Sequence, residues 1–353
     1  MSSKQKVFAL GVVLLSVTLL ASCGIHGVGR VQTSGNAPGS SVSPNVVVPS
    51  ANSISGRVGG DGPVLAVKID DTFQAQPQIG IDKADLVYIE QVEAGLTRLL
   101  CIFSSEFPSQ VGPIRSARIS DIDLLAQYGH VAFAYSGAQS KMLPVIRSAN
   151  LQDLGAEHES SQIYPRDSAR TGPVDMLLEA QTLMTKLSEQ NVPIAVSKNM
   201  GWSFGDAPSA GNPVSAVSMF WPSNTYYASW SSTESRWLLT ERGLPDMSAD
   251  GKQLGPTTLV VQMVSITPSI YHDKFGGVTP FSVTIGEGTG YILRDGFMFA
   301  AHWSRPTAAD GTTWTLADGS QVLFAPGQIW IALTDTAPIF TLPTVSASPA
   351  PTK

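Results

Sequence analysis

Val64-Leu65-Ala66-Val67-Lys68-Ile69 holds five apolar residues around one lysine and runs into Asp70-Asp71. Such a run reads as a strand with both faces apolar. Two further strands come next, from Asp85 to Val92 and from Arg98 to Phe103. Glu93-Ala94-Gly95-Leu96-Thr97 between them is short enough for a hairpin. Strands apolar on both faces belong to a sheet that is covered on both sides.

Downstream, Gly112-Pro113 reads as the opening of a helix. Ile119, Ile122, Leu125 and Ala126 keep one face apolar, and Gly129 stands at the stop. His130 to Tyr135 reads as another strand, Lys141 to Ser148 as a helix, and Val174 to Gln190 as a longer one. From Pro213 onward, short runs rich in Val, Thr, Tyr, Phe and Trp alternate with turn signals such as Asp250-Gly251, Asp295-Gly296 and Asp318-Gly319. The expected class is α+β: a mixed α/β N-terminal domain followed by a β-rich C-terminal domain.

Working outward, residues 1–22 have the parts of an export signal. Lys4 and Lys6 precede an uncharged apolar stretch of about 14 residues, too short to span a bilayer comfortably. It ends in Leu20-Ala21-Ser22-Cys23-Gly24, the pattern read by a lipoprotein signal peptidase, which makes Cys23 the lipidation site. Residues 23–61, rich in Ser, Gly, Pro and Asn, read as the lipidated N-terminus and a flexible tether. The two domains then occupy 62–195 and 196–342, and 343–353 reads as a disordered tail. The expected partner on this side is a membrane, held through N-terminal acyl chains at the extracytoplasmic face.

Composition narrows the function. Loss of the two signal lysines takes the formal charge from −6 to −8, and no Lys/Arg run exists, so nucleic acid is a poor partner. With Cys23 lipidated, Cys101 has no disulfide partner and reads as a buried small hydrophobe. The five histidines are scattered and no metal-ligand spacing occurs, so neither a metal nor a cofactor is indicated. Gly201-Trp202-Ser203-Phe204-Gly205 matches a nucleophile-elbow pattern, but a Pro- and Gly-rich stretch stands where a helix is required. Gly286-Glu287-Gly288-Thr289-Gly290 lacks the helix of a dinucleotide loop and reads as a β-turn.

Gly112-Pro113-Ile114-Arg115-Ser116-Ala117-Arg118 is the most informative stretch for function. Two arginines three apart in a first helical turn sit at the positive end of the helix dipole and need an anion. Internal pairing with Glu90, Glu93, Asp121 or Asp123 is favoured, because acidic residues are plentiful in the adjacent strands. The alternative is a bound phosphate or carboxylate, gripped bidentately. The candidate ligand-binding cluster is Arg98, Arg115, Arg118, Asp70 and Glu93. The expected function is binding of an anionic ligand or an envelope protein. The alternative is a cell-envelope hydrolase using the same carboxylates, with Ser116 or Ser136 nearby.

With these motifs in view, the chain resembles the YerB-like family of bacterial lipoproteins, from about Val64 to Thr334. The resemblance rests on Ile69-Asp70-Asp71, Ala75-Gln76-Pro77-Gln78, Ala84-Asp85-Leu86-Val87, Glu93-Ala94-Gly95-Leu96-Thr97-Arg98 and the whole of Gly112 to Arg118. In the second half it rests on Gly288-Thr289-Gly290-Tyr291, His302-Trp303-Ser304-Arg305 and the stretch from Ala325 to Ile331. Gln76 stands where the family has arginine. Tyr164-Pro165-Arg166-Asp167-Ser168-Ala169-Arg170 is not followed by the family's Pro-His-Asn. The resemblance implies a location and a two-part fold, and no reaction.

Replacement of Cys23 by alanine is expected to abolish labelling by a palmitate analogue and to leave an unprocessed precursor on an electrophoretic gel. A labelled, normally processed Cys23→Ala protein would contradict the lipidation site.

Overall fold

A computed structural model describes residues 50–344, except 210. Cys23, the export signal and residues 345–353 lie outside the described residues. The principal feature is one long mixed sheet. Along its main path the strands run Thr313–Thr315, Phe297–Arg305, Gly286–Arg294, Thr258–Met263, Ile329–Thr334, Leu86–Gln91, Thr97–Phe103, Leu65–Asp70, Val131–Tyr135 and Leu151–Gly155. The α+β class is observed, and the sheet crosses the expected boundary between residues 195 and 196. The join is the parallel pairing of Ile329–Thr334 with Leu86–Gln91, in which Trp330 lies opposite Val87 and Ala332 opposite Ile89.

The central strands are apolar on both faces because both faces are covered. Leu65–Asp70 and Ile329–Thr334 are buried along their whole length. Side chains alternate between two cores with the period of two that a strand imposes. Leu65, Val67 and Ile69 face the layer made by Ala180–Glu189 and a separate five-stranded sheet that includes Ala216–Trp221, Asn224–Ser231 and Arg236–Glu241. Val64 and Ala66 face the helices Ile119–Ala126 and Leu143–Ser148. Cys101 is a free, buried thiol on the first of these faces.

Four stretches differ from the sequence expectation. The helix expected from Gly112-Pro113 begins only at Ile119. Residues 113–117 are instead threaded between the carboxyl ends of two parallel strands. Asp70 N–H donates to the Pro113 carbonyl, Arg115 N–H to Lys68, Ser136 N–H to Arg115 and Ala117 N–H to Gly137, all within 2.8–3.0 Å. Backbone groups satisfied on both sides outweigh local helix preference. The third helix is likewise confined to Ala180–Glu189, because Leu178–Glu179 pairs with Gln110–Val111.

Gly286–Arg294 is a strand rather than a turn at its glycines. Gly288 leaves room for the Trp303 ring and Gly290 for Trp314; a Cβ there would sit 2.7 and 2.8 Å from those indoles. The turn falls one step later, at Asp295-Gly296, where both φ angles are positive (53° and 77°), as a tight hairpin requires.

The end of the expected tether is part of the folded body. Asn52 is buried, and its side chain bonds Gly60, Ser104 and Ser197 while accepting from Ile54 and Ser55. Ser55 donates to Asp85 at 2.6 Å, and Trp202 donates to the Ile54 carbonyl at 2.9 Å. Low charge and high Ser/Asn content suit a linker, but they equally suit a loop whose polar groups are all bonded.

Ile54→Ala is therefore expected to cost about 2–5 kcal/mol in urea unfolding, as for a core aliphatic side chain. A change within about 0.5 kcal/mol, as at a linker position, would contradict this.

Candidate functional site

At the carboxyl ends of Leu65–Asp70 and Val131–Tyr135, the threaded segment sets Arg115, Ser116 and Arg118 beside one another. Ligands commonly bind at such a location in sheets with parallel strands. Arg115 donates through Nε to Asp70, a carboxylate that is almost wholly buried. Its two terminal nitrogens have no protein hydrogen-bond partner among the described residues. Arg118 caps the helix Ile119–Ala126. Its N–H donates to Asp121 at 2.6 Å, and its Nε and Nη2 donate to one Glu93 oxygen at 2.9 and 2.7 Å. The other Glu93 oxygen accepts from Thr279 of the second half. Burial pushes the Glu93 carboxyl up, but Arg118 and Thr279 outweigh it and hold the group below its ordinary range.

Arg98 is the exception. It is half-buried at the start of Thr97–Phe103 and has no carboxylate within ion-pair distance among the described residues. Its Nη1 donates to the Ser116 carbonyl at 3.0 Å, which also accepts from Arg118 Nη1 at 3.2 Å. Two guanidinium groups thus meet at one oxygen. Burial, then the charges of Arg118 and Arg115, lower the Arg98 pKa to about 9. Internal pairing, favoured on sequence grounds, accounts for Arg115 with Asp70 and Arg118 with Glu93. It leaves Arg98 without a carboxylate at ion-pair distance among the described residues, with Glu93 and Asp70 acting on its charge only from further away. Glu90 and Asp121 serve another cation: both clamp the buried Lys68, at 2.6 and 2.7 Å. Asp123 lends its backbone carbonyl to the buried Arg305.

Arg115 also forms part of the wall of an open cleft of about 820 Å³. Thr72, Gln74 and Gln76 line one side, and Asp167, Arg170 and Thr171 the other. Arg170 is a staple here, donating to the carbonyls of Ala75 and Pro77 at 2.6 and 2.5 Å and to Asp167 at 3.2 Å. Sequence reasoning does not single out these cleft residues as a site. Their one signal is the density of Arg and Asp between Arg166 and Arg170.

Behind Gln76 lies a second group of acids. Gln76 donates to Glu241 and, at 3.5 Å, to Asp246. Asp71 accepts from Thr97 and from the Tyr226 hydroxyl (2.6 Å). Only Arg242 neutralises this group among the described residues, through Glu241 at 3.1 Å. Desolvation, with Glu241 beside it, raises the Asp246 pKa to about 8, and burial raises Asp71 as well.

Ser116 and Ser136 approach within 3.5 Å of each other, and neither hydroxyl bonds a histidine or carboxylate among the described residues. At the Gly201-x-Ser-x-Gly match, Ser203 offers its carbonyl to Phe324 N–H, and no helix comes after it. No group of three or more His, Cys, Asp or Glu side chains is placed to hold a metal among the described residues.

Fold and site together define an α+β body with an open cleft, lined in part by Arg115 and Arg170, and an arginine cluster at one end of its sheet. Residues 52–193 match the family described as Protein of unknown function (DUF3048) N-terminal domain, and residues 216–331 its C-terminal domain. The chain belongs to this YerB-like family. One relative, named "Putative lipoprotein YerB", from Bacillus subtilis (strain 168), is 46% identical over 54 residues. That alignment covers 15% of this chain and 16% of the relative. The crystal structure of YerB protein from Bacillus subtilis superposes with a TM-score of 0.71 over 83% of this chain and 99% of that one. At 19% identity this likeness shows the fold.

Asp246 takes up a proton on folding, because its folded pKa stands above the unfolded value. Its contribution to stability is full below about pH 4 and is lost as pH rises through about 8. Asp246→Asn should remove a slope of about 1 kcal/mol per pH unit between those limits, read by urea unfolding across pH. Parallel pH profiles for the two proteins would show that Asp246 is ionised in the fold.

Proposed function

We propose that the chain is a lipid-anchored protein of the extracytoplasmic membrane face that binds an anionic ligand at the arginine cluster. The observation that carries this is Arg98. A half-buried guanidinium with no carboxylate at ion-pair distance among the described residues, sharing a carbonyl with a second guanidinium, favours an added anion. Arg115 lines the cleft, its two terminal nitrogens have no protein hydrogen-bond partner among the described residues, and a guanidinium presents such nitrogens as a planar fork suited to carboxylate or phosphate.

The export signal and Cys23 support the anchoring, as does the name of the Bacillus relative. Among the described residues no helix is long and apolar enough to cross a membrane, so the acyl chains would supply the attachment. Palmitate as the acyl group and an envelope protein as partner belong to the same proposal. The hydrolase reading has no observation in its favour.

Arg98→Gln separates a ligand residue from a structural one. It removes an uncompensated charge, so the melting temperature in low-salt buffer is expected to hold or rise. The gain in melting temperature that acetate gives the wild type is expected to vanish. A variant that melts several degrees lower and keeps the acetate gain would contradict the proposal.

A further inference from the structure

Ser265–His272 and Val278–Val283 form a hairpin that pairs with no other strand among the described residues. Its inner part is fastened to the body. Ser282 N–H donates to Ser120 Oγ at 2.9 Å, and the Thr279 hydroxyl donates to Glu93. Ile266 and Tyr271 are partly buried against the core. Beyond Thr279 that hold ends. From His272 to Val278 every hydrogen bond among the described residues lies within the hairpin. The outer part carries the two most exposed large hydrophobic side chains of the described residues, Phe275 (84%) and Ile270 (79%), with Val278 beside them at 44%. Single exposed apolar residues are ordinary on a surface. Three gathered at the end of one hairpin form a patch.

The turn at the tip spends its polar groups on itself. Asp273 N–H donates to the Gly277 carbonyl at 2.8 Å, and Gly276 N–H to the Asp273 carbonyl at 3.1 Å. One Asp273 carboxylate oxygen accepts from the N–H groups of Phe275 and Gly277, both at 2.8 Å. Backbone groups paired within the segment are what an apolar medium requires, because it offers no replacement hydrogen bonds. A protein surface could pair open backbone groups at the tip; hydrocarbon could not. Lys274 Nζ lies 5.0 Å from the centre of the Phe275 ring. A long lysine stem beside an apolar ring suits the headgroup boundary, with the ring in the apolar layer and the ammonium among the phosphates. Asp273 and Lys274 offset each other in charge, so apolar contact rather than net charge must supply the attachment.

The described chain starts at Ser50, 27 residues after Cys23. Fully extended, that length covers about 90 Å. A strand of nine residues, such as Gly286–Arg294, covers roughly 30 Å. An anchor at Cys23 thus lets any side of the body rest on the bilayer, and surface chemistry decides which side does. We propose that the hairpin tip is a second membrane contact, which places Phe275 and Ile270 in the headgroup boundary of the bilayer that holds the acyl chains. This contact rests on the lipid-anchored reading and asks nothing of the arginine cluster.

The test uses the full lipid-anchored protein in phosphatidylcholine vesicles, with a fluorescent NBD probe on Ile270→Cys and, for comparison, on Ile339→Cys. Ile339 is 63% exposed on the separate five-stranded sheet. With Cys23 acylated and Cys101 buried, the probe goes to the new thiol alone. Nitroxide-labelled lipids are expected to quench the probe at 270 and not at 339, in high salt as in low. Phe275→Asp alters an exposed side chain and should abolish the quenching at 270 while the protein still floats with the vesicles. Equal quenching at both positions, quenching at 270 that survives Phe275→Asp, or none at 270 in protein that floats would overturn the contact and leave the anchor standing. Emission at 270 that rises with protein concentration, without quenching by lipid, would give the tip to a second copy and overturn it too. Protein that does not float with the vesicles would overturn the anchoring and this contact together.

Discussion

The carbonyl of Ser116 accepts from Arg98 and from Arg118 at once, so two like charges are held at one oxygen. Nothing in either side chain favours that meeting; the surrounding fold enforces it. Ser116 is fixed because residues 113–117 are bonded on both sides between the ends of two parallel strands. Arg118 is fixed as a helix cap and by Glu93, and Arg98 by the register that sets it opposite Asp70. Those strands lie near the middle of a sheet whose other half comes from residues far along the chain, through Ile329–Thr334. Burial on both faces keeps the frame rigid enough to hold the repulsion.

Much of this frame is legible in the sequence. Leu65–Asp70, Leu86–Gln91 and Thr97–Phe103 announce themselves by apolar runs, and the Asp-Gly pairs mark the turns of the β-rich half. What is not legible depends on partners distant in sequence. Residues 113–118 carry helix-compatible composition, yet Lys68, Asp70, Gly137 and Met176 claim their backbone groups. The strand Leu151–Gly155 is short and carries Gln152 and Asp153, so periodicity alone does not reveal it. Gly288 and Gly290 resemble turn residues until Trp303 and Trp314 are placed over them.

The site obeys the same rule. The five residues chosen from sequence, Arg98, Arg115, Arg118, Asp70 and Glu93, do fall together, because all lie at strand ends or in the segment between them. Which acid pairs with which arginine depends on geometry. Glu90 and Asp121 are equally plausible partners by spacing, but the buried Lys68 takes both, and that removes them from Arg98. The cleft walls are a single 3-10 turn from Thr72 to Gln76 and a loop from Asp167 to Thr171, about a hundred residues apart and joined by Arg170. No local pattern encodes such a joining.

The uncompensated charge on Arg98 is the claim on which the functional account stands, and diffraction can test it directly. In crystals of the protein soaked in bromide, the anomalous signal should place a bromide ion between Arg98 and Arg115. A structure in which Asp70, Glu93 or another carboxylate closes on Arg98, with no bromide at that position, would contradict the account.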